Sequence, residues 1–369
     1  MKIVRVETVS FGIPIKAFAD ANAQYDKTIA VLVKIYADDG TIGFGEACAW
    51  SPAFYGETLE SVTSSIQNHV APKIVGQNPF DIGHVMSIVD ATLARSTCVK
   101  EGIDLALFDL IGKILNVPVY TLLNGRFRDR VPAACEIGIG ETDVMIENAK
   151  EILRTGVKVI KIKCSGKVEE DIERVTAIQE AVGDRAIFRL DANAHWNTLE
   201  TIRAMRALRD CNIQYLEQPV PSWNLDGMAK IRASIGVPLM ADESVWTPQD
   251  VVELAKRDAA DIVNIKISKT GGLSLAKRVE AVADAVGLSC VVGTELEPGI
   301  SLPAKLHLAA SLRNLPLACE YTELVHLNDS ILRPKIVIED GSVRVPEGAG
   351  FGVQIDENLL SKYSLGRSE

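Results

Sequence analysis

The chain has 369 residues, of which 47% are hydrophobic and 24% charged, with a formal net charge of −10. That balance is ordinary for a globular fold, the length allows two or more domains, and the acidic surplus argues against nucleic acid as a partner. No stretch of about 18 apolar residues occurs and the first residues lack an apolar leader, so neither a membrane span nor a signal peptide is expected. The seven cysteines stand singly with no C-x-x-C. This excludes a zinc knuckle and a disulfide framework and suits a reducing cytoplasm.

In chain order, Ile3 to Phe11 reads as a strand, and Ile29 to Ala37 with Thr41 to Ala47 as a hairpin about Asp39-Gly40. Helical patterns follow at Thr58 to Val70, Pro79 to Leu93 and Lys100 to Leu115. Strands and then helices indicate an α+β domain over 1–125. From Val131 the rhythm becomes strand, helix, strand, helix, with strands expected near 131, 157, 186, 213, 237, 261, 288 and 316. Helical stretches such as Glu169 to Val182, Leu199 to Asp210 and Leu273 to Val286 separate them. Eight such repeats predict a closed parallel α/β fold over 126–325, a (β/α)8 TIM-type barrel. The tail 326–369 resembles none of these units. Its hairpin, Lys335 to Ile338 with Ser342 to Val345, is expected to rejoin the first domain.

The second barrel strand, Val157 to Lys163, puts Lys161 and Lys163 on the face opposite Ile160 and Ile162. Two lysines this close, partly buried, lower each other's pKa, as a general base requires. Alone, the pattern reads equally well as a solvated strand face. Four more strands, however, end on an ionisable residue: Asp191, Glu217, Asp242 and Lys266. Counting from Lys163, the steps are 28, 26, 25 and 24 residues, one strand-helix unit each. Chemistry in such barrels gathers at the carboxyl ends of the strands.

Three carboxylates on adjacent strands repel unless a divalent cation neutralises them, and an all-oxygen set selects Mg²⁺ or Mn²⁺ over zinc. Three separate salt-bridged acids are the alternative. Lys163 and Lys266, on the second and sixth of eight strands, would face each other across the mouth. A carboxylate substrate held between them can lose its α-proton, because a metal offsets the enediolate charge. Asn193 shares a face with Asp191 and can reach a water on the metal.

Other features point elsewhere and are weaker. Gly348-Ala349-Gly350-Phe351-Gly352 has the wrong spacing for a phosphate loop, and no helix follows it. His195 reads as a loop residue and His307 as structural. No H-E-x-x-H, G-x-S-x-G or P-loop occurs.

The motifs Lys161-Ile162-Lys163, Asp191-Ala192-Asn193, Glu217-Gln218-Pro219, Ala241-Asp242-Glu243-Ser244 and Ile265 to Gly272, with the helix Gly102 to Gly112, make the chain resemble the enolase superfamily, and within it the muconate-lactonising subgroup. The resemblance covers nearly the whole chain. It implies a modified barrel with an N-terminal capping domain, usually in a homo-oligomer, with capping loops at about Ile15 to Lys27 and Ala47 to Glu57. Lys163 and Lys266 are implied as the acid/base pair, and Asp191, Glu217 and Asp242 as Mg²⁺ ligands. Lys161 is implied to tune Lys163 and bind the substrate carboxylate; Asn193 and Glu243 are expected to support the ligands.

Subgroup members cycloisomerise, dehydrate, racemise or epimerise. Glu295 and Glu297, two apart after the seventh strand, are both expected to face the cavity. Glu295 either binds a substrate ammonium or pairs with a nearby lysine, and Glu297 either touches substrate or supports it. Trp50 and Tyr55 in a capping loop suit an apolar or ring-bearing substrate, or simply pack. The expected function is an Mg²⁺-dependent racemase or epimerase of a small amino-acid-like or proline-like carboxylate. The alternatives are a cycloisomerase, a β-eliminating dehydratase and, remotely, a non-catalytic binding protein on the same barrel.

Overall fold

The structure, a computed structural model, describes residues 1–49 and 51–366. The expectation for Trp50 therefore lies outside the described residues. Three antiparallel strands open the chain: β1 (Ile3–Ala19), β2 (Gln24–Ala37) and β3 (Ile42–Ala47). β1 and β2 stay paired as far as Phe18↔Tyr25 and Ala19↔Gln24, with a register break between Pro14 and Phe18. The stretch expected as a capping loop, Ile15 to Lys27, is thus a hairpin arm. The break bends it, as an irregular pair does in a long ribbon. The expected helix Thr58 to Val70 is α-helical over Leu59–Ser64 and continues as a π turn over Ser65–Val70.

The helix Thr97–Ile114 joins this domain to the rest. It is buried over almost its whole length, which explains why its sequence is apolar on more than one face. Glycines let it lie directly on the sheet: a Cβ on Gly45 would stand 2.0 Å from the Gly102 carbonyl, and one on Gly43 would stand 2.2 Å from that of Ala106. On its other side Asp104 accepts from the Ser274 amide at 3.1 Å. Asp109 accepts from Phe44 at 2.8 Å and Phe351 at 3.0 Å, tying sheet and tail to one carboxylate.

The remainder is an α/β barrel. Its strands are β4 (Arg130–Ile137), β5 (Val159–Lys163), β6 (Ile187–Asp191), β7 (Ile213–Glu217), β8 (Leu239–Ala241), β9 (Ile262–Ile265), β10 (Ser289–Val292) and β11 (Cys319–Glu320). β4 to β10 pair in sequence order and in parallel, and β11 pairs with β4 on its other side. Helices follow the first seven strands, while β11 is followed by a single turn, Glu323–His326. Ile160 and Ile162 face the helices with the main core, and Tyr215, Met240, Ile262 and Val291 fill the interior as a separate cluster. One pair further along these strands the inward residues become Glu217, Asp242 and Asn264, so the acids begin above a floor in which Arg189, stacked on Tyr215, is the buried charge.

The tail departs from expectation. Its hairpin, Ile338–Glu339 with Ser342–Arg344, adds to the edge of β4 (Val343↔Val131) rather than to the first sheet. β4 has eight residues and extends below its neighbours, so it offers that edge. The tail meets β1 at both of its ends, through the Ile15–Leu327 bridge at its start and the Phe11–Ser364 bridge near the chain end. His307 is structural: its Nδ1 accepts from the Tyr120 amide at 3.0 Å, and burial holds its pKa down at about 4. Among the described residues no helix is long and apolar enough to cross a membrane.

The glycine contact gives a first prediction. Gly45→Ala forces a methyl group into the Gly102 carbonyl, and overpacking of this kind costs about 3 kcal/mol. Urea unfolding should show that loss with an unchanged m-value, whereas Gly40→Ala, which meets no atom within 4 Å, should owe any smaller loss to its left-handed backbone alone.

Candidate active site

Strand register aligns the ionisable residues. Lys163 is paired with Asp191 and Asp191 with Glu217, while Glu217 opposes Met240, placing Asp242 just beyond. All lie at the carboxyl end of the barrel and point inward, as alternation requires.

Lys161 sits at the centre with none of its surface exposed. Its ammonium lies 2.7 Å from Glu136 on β4, 3.0 Å from Glu320 on β11, 3.1 Å from Glu217 and 3.4 Å from Asp191. Lys163 is 2.7 Å from Asp191 and 3.8 Å from Glu136. On the opposite side Lys266 is 2.8 Å from Asp242 and 2.7 Å from Glu295. Lys269 holds the other oxygen of Asp242 and also donates to its backbone carbonyl at 2.6 Å. Glu217 accepts from Asn264 at 2.7 Å. Asn264 can approach because residue 293 is glycine, where a Cβ would stand 2.2 Å from its side-chain oxygen.

The expectation of lowered lysine pKa values is not met. Burial disfavours each ammonium, but the surrounding carboxylates outweigh it and push Lys161, Lys163 and Lys266 up. The sequence argument weighed the two lysines against each other; barrel closure brings acids from other strands against both. Among the acids, burial works against Asp191 and Asp242, but neighbouring lysines hold both below the usual range. Burial beside Asp191 and Glu320 pushes Glu217 up. Burial and the adjacent Asp242 raise Glu243 to about 8.

The three candidate metal acids share a layer, yet each is engaged by an ammonium. Among the described residues no three acidic, imidazole or thiol groups form a ready cage. Buried carboxylates with no cation beside them turn to the nearest positive charge, which here is lysine. The donor set still fits a hard divalent ion, being three carboxylates on successive strands. Beside them, Asn193 Oδ1 and Glu243 Oε2 are buried with no hydrogen-bond partner. Asn193 donates to Glu243 at 3.3 Å, and its own backbone amide donates to Asp191 at 2.9 Å.

A cavity of about 30 Å³ opens between Lys163, Lys266, Asn193, Glu136 and Glu295 and is covered from the N-terminal domain by Phe18, Asp20, Asn22, Ser51 and Phe54. That is the room of about one water, so the hairpin arm is down on the site. Lys161 lies beneath this space and is not among its lining residues. Tyr55 is behind it too: its hydroxyl meets Ser268 Oγ at 2.7 Å, and Phe54, stacked on Trp246 at 5.5 Å, presents the aromatic face. Glu297 turns away, bonded to Lys305 at 2.7 Å and to Thr294 at 2.9 Å. Leu296 between the two glutamates adopts φ 56°, so the chain is not extended there and the two side chains diverge.

Sequence reasoning missed Glu136, Glu320, Asn264 and Lys269. Glu320 carries the same signal as the other acids, a charge closing a barrel strand, while Glu136 stands one residue before its strand's end.

Residues 144–359 match the family described as Enolase C-terminal domain-like, and residues 3–124 match Mandelate racemase / muconate lactonizing enzyme, N-terminal domain. The chain belongs to this family of the enolase superfamily. It is 32% identical over 358 residues to a chloromuconate cycloisomerase of Cupriavidus pinatubonensis, covering 96% of each chain. It is also 32% identical over 367 residues to an N-succinyl-L-Arg/Lys racemase of Bacillus cereus, covering 99% of this chain and 98% of that one. A dipeptide epimerase from Enterococcus faecalis, solved with Mg and the dipeptide L-Leu-L-Tyr, superposes with a TM-score of 0.91 at 32% identity, covering 96% of this chain and 100% of that one. These family relatives are isomerases, and enzymes of the family generally use Mg²⁺.

The buried ring of acids around Lys161 yields a second prediction. Lys161→Met removes the only ammonium that all four carboxylates share, and breaking a buried charge network of this kind costs about 4 kcal/mol. Thermal unfolding should register that loss. A variant as stable as the parent would show the acids paired elsewhere.

Proposed function

We propose that this chain racemises or epimerises an amino-acid-like carboxylate by exchanging its α-proton between Lys163 and Lys266. The observation that carries this reading is the matched equipment of the two lysines. Each stands between one candidate metal acid and one further carboxylate: Asp191 and Glu136 for Lys163, Asp242 and Glu295 for Lys266. A reaction that works on one face needs one such lysine, whereas inversion needs a base on one face and an acid on the other.

Asp191, Glu217 and Asp242 would hold Mg²⁺, with Asn193 and Glu243 beside them. The bound cation supplies positive charge against the charge that develops on the substrate carboxylate. Lys161 stays below and holds Asp191, Glu217 and Glu136 in register. With Asp191 and Asp242 taken up by the cation, the carboxylate pull that raises Lys163 and Lys266 would be reduced, so that one of them can accept the proton from Cα as a neutral amine while the other, as an ammonium, delivers one to the opposite face. Glu295, on the cavity wall, is placed to meet a substrate ammonium or amide N–H. Phe18 and Phe54 exclude water above the reacting carbon. The capping role of the N-terminal domain belongs to this proposal, as does action in the cytoplasm as a homo-oligomer.

The rival reading, cycloisomerisation, draws on the equally similar chloromuconate enzyme. Incubation in D₂O with Mg²⁺ and a panel of N-succinyl amino acids, dipeptides and cis,cis-muconate separates the two. Racemisation places deuterium on Cα with an intact skeleton; lactone or alkene as the sole product would end the proposal. In the same assay Lys163→Ala should lose exchange from one enantiomer by about 1,000-fold while the other enantiomer still exchanges its α-proton at Lys266. Loss of both together would argue against two independent faces.

Metal binding is checked without turnover. At 100 times its dissociation constant, Mg²⁺ adds about 2.7 kcal/mol to stability, so titrating Mg²⁺ should raise the Tm of the parent and not that of Asp242→Asn. An unmoved Tm across the titration would remove the proposed ligand set.

A further inference from the structure

Outside the lysines and acids of the cavity, the described residues hold one more fully buried ammonium. Lys305, in the helix Ser301–Ser311, has none of its surface exposed. It donates to Glu297 at 2.7 Å, to Glu323 at 2.9 Å and to the Thr294 hydroxyl at 3.0 Å. Glu323 lies just beyond β11, so this one ammonium joins the β10 loop to the last barrel strand. Thr294 relays the hold, since its oxygen also accepts from the Leu296 amide at 3.1 Å. Leu296 has φ 56°, a left-handed conformation that a branched residue keeps only where its surroundings enforce it.

The held turn does three things. It aims Glu295 at Lys266, sends Glu297 the other way, and buries Leu296 against Ile15, Phe18 and Cys48. Those last residues belong to the hairpin arm and its neighbour, and Cys48 Sγ also lies 3.8 Å from the Glu295 carbonyl. The turn therefore carries both a wall of the cavity and the seat of its cover.

We propose that Lys305 is a positioning residue: by clamping Thr294, Glu297 and Glu323 it holds the turn that presents Glu295 to the substrate's nitrogen and seats the hairpin arm. The part concerning substrate rests on the proposed reading of Glu295; the part concerning the turn does not. Burial of Lys305 costs free energy that only its acids offset. A lysine kept solely for stability could be replaced together with those acids without touching the cavity.

The test compares the full-length parent, Lys305→Met, Thr294→Val and Glu295→Gln, all with Mg²⁺. Hydrogen exchange reads the turn directly. In Lys305→Met and in Thr294→Val the Leu296 amide and the arm around Phe18 and Tyr25 should exchange at least tenfold faster, with the β9 amides of Ile262 to Ile265 unchanged. Thr294→Val keeps every charge, so it decides the matter should Lys305→Met not fold. Unchanged exchange at Leu296 in the folded variants overturns the proposal. Kinetics reads the substrate part, using whichever N-succinyl amino acid or dipeptide exchanges fastest with the parent. KM should rise at least tenfold in Lys305→Met while kcat changes less than threefold, and adding Glu295→Gln should worsen KM no further. Full additivity overturns the link to Glu295. If no compound exchanges with the parent, the functional reading has failed, and hydrogen exchange alone still decides whether Lys305 holds the turn.

Discussion

A single ammonium in the middle of the barrel sets the terms for everything above it. Lys161 reaches carboxylates contributed by β4, β6, β7 and β11, all within 3.4 Å. Those strands form one arc, β11-β4-β5-β6-β7, centred on the strand that carries Lys161, so the curl of the sheet brings their acids to one point, and that convergence is favourable only if the acids find a cation. The floor of Tyr215, Met240, Ile262 and Val291, with the buried Arg189 guanidinium over the Tyr215 ring, is packed beneath this layer, and such a dry setting raises both the cost of an unpaired charge and the strength of a paired one. The same dry, crowded layer lets small displacements at its rim decide which acid a lysine touches.

Much of this was legible before any coordinates. A parallel barrel exposes one end of every strand to one cavity, so ionisable residues closing successive strands had to converge. That reasoning located Lys163, Asp191, Glu217, Asp242 and Lys266 from spacing alone. It missed Glu136 because another residue, Ile137, ends that strand, and Glu320 because β11 has only two residues and gives almost no pattern. The raised lysine pKa values were illegible for a related reason: a single strand shows its own two like charges and not the acids that four other strands bring.

The β10 loop shows the limit of alternation more sharply. Glu295 and Glu297 share a face only if the backbone between them is extended. The left-handed Leu296 breaks that premise, and nothing in the residue type announces it. What holds Leu296 is a lysine and an acid from beyond the loop, contacts that exist only after folding. The hairpin arm is similar: Ile15 to Lys27 mixes apolar, charged and small residues, and its strand pairing is imposed by its neighbour in the sheet rather than by propensity.

Charge finally connects the two halves of the site. Around the cavity and directly beneath it stand seven acids (Glu136, Asp191, Glu217, Asp242, Glu243, Glu295 and Glu320) against four lysines (Lys161, Lys163, Lys266 and Lys269) and Arg189, so 7 − 5 leaves two formal negative charges in excess, with Glu243 half-buried and the other groups buried. Burial pushes Glu217, Glu243 and Glu295 upward and neighbouring acids add to it, so protons relieve part of that excess in the chain by itself. A divalent cation relieves it equally well and competes with those protons for the same oxygens. A substrate with a free amine, such as a dipeptide, then adds a carboxylate and an ammonium, no net charge, and leaves the balance undisturbed. A muconate, like an N-succinyl amino acid, brings two carboxylates and no cation, and would have to sit with one of them beside Glu136 or Glu295. Repulsion there favours the zwitterion, and the preference comes from the two acids that flank the lysines rather than from the ligands of the metal.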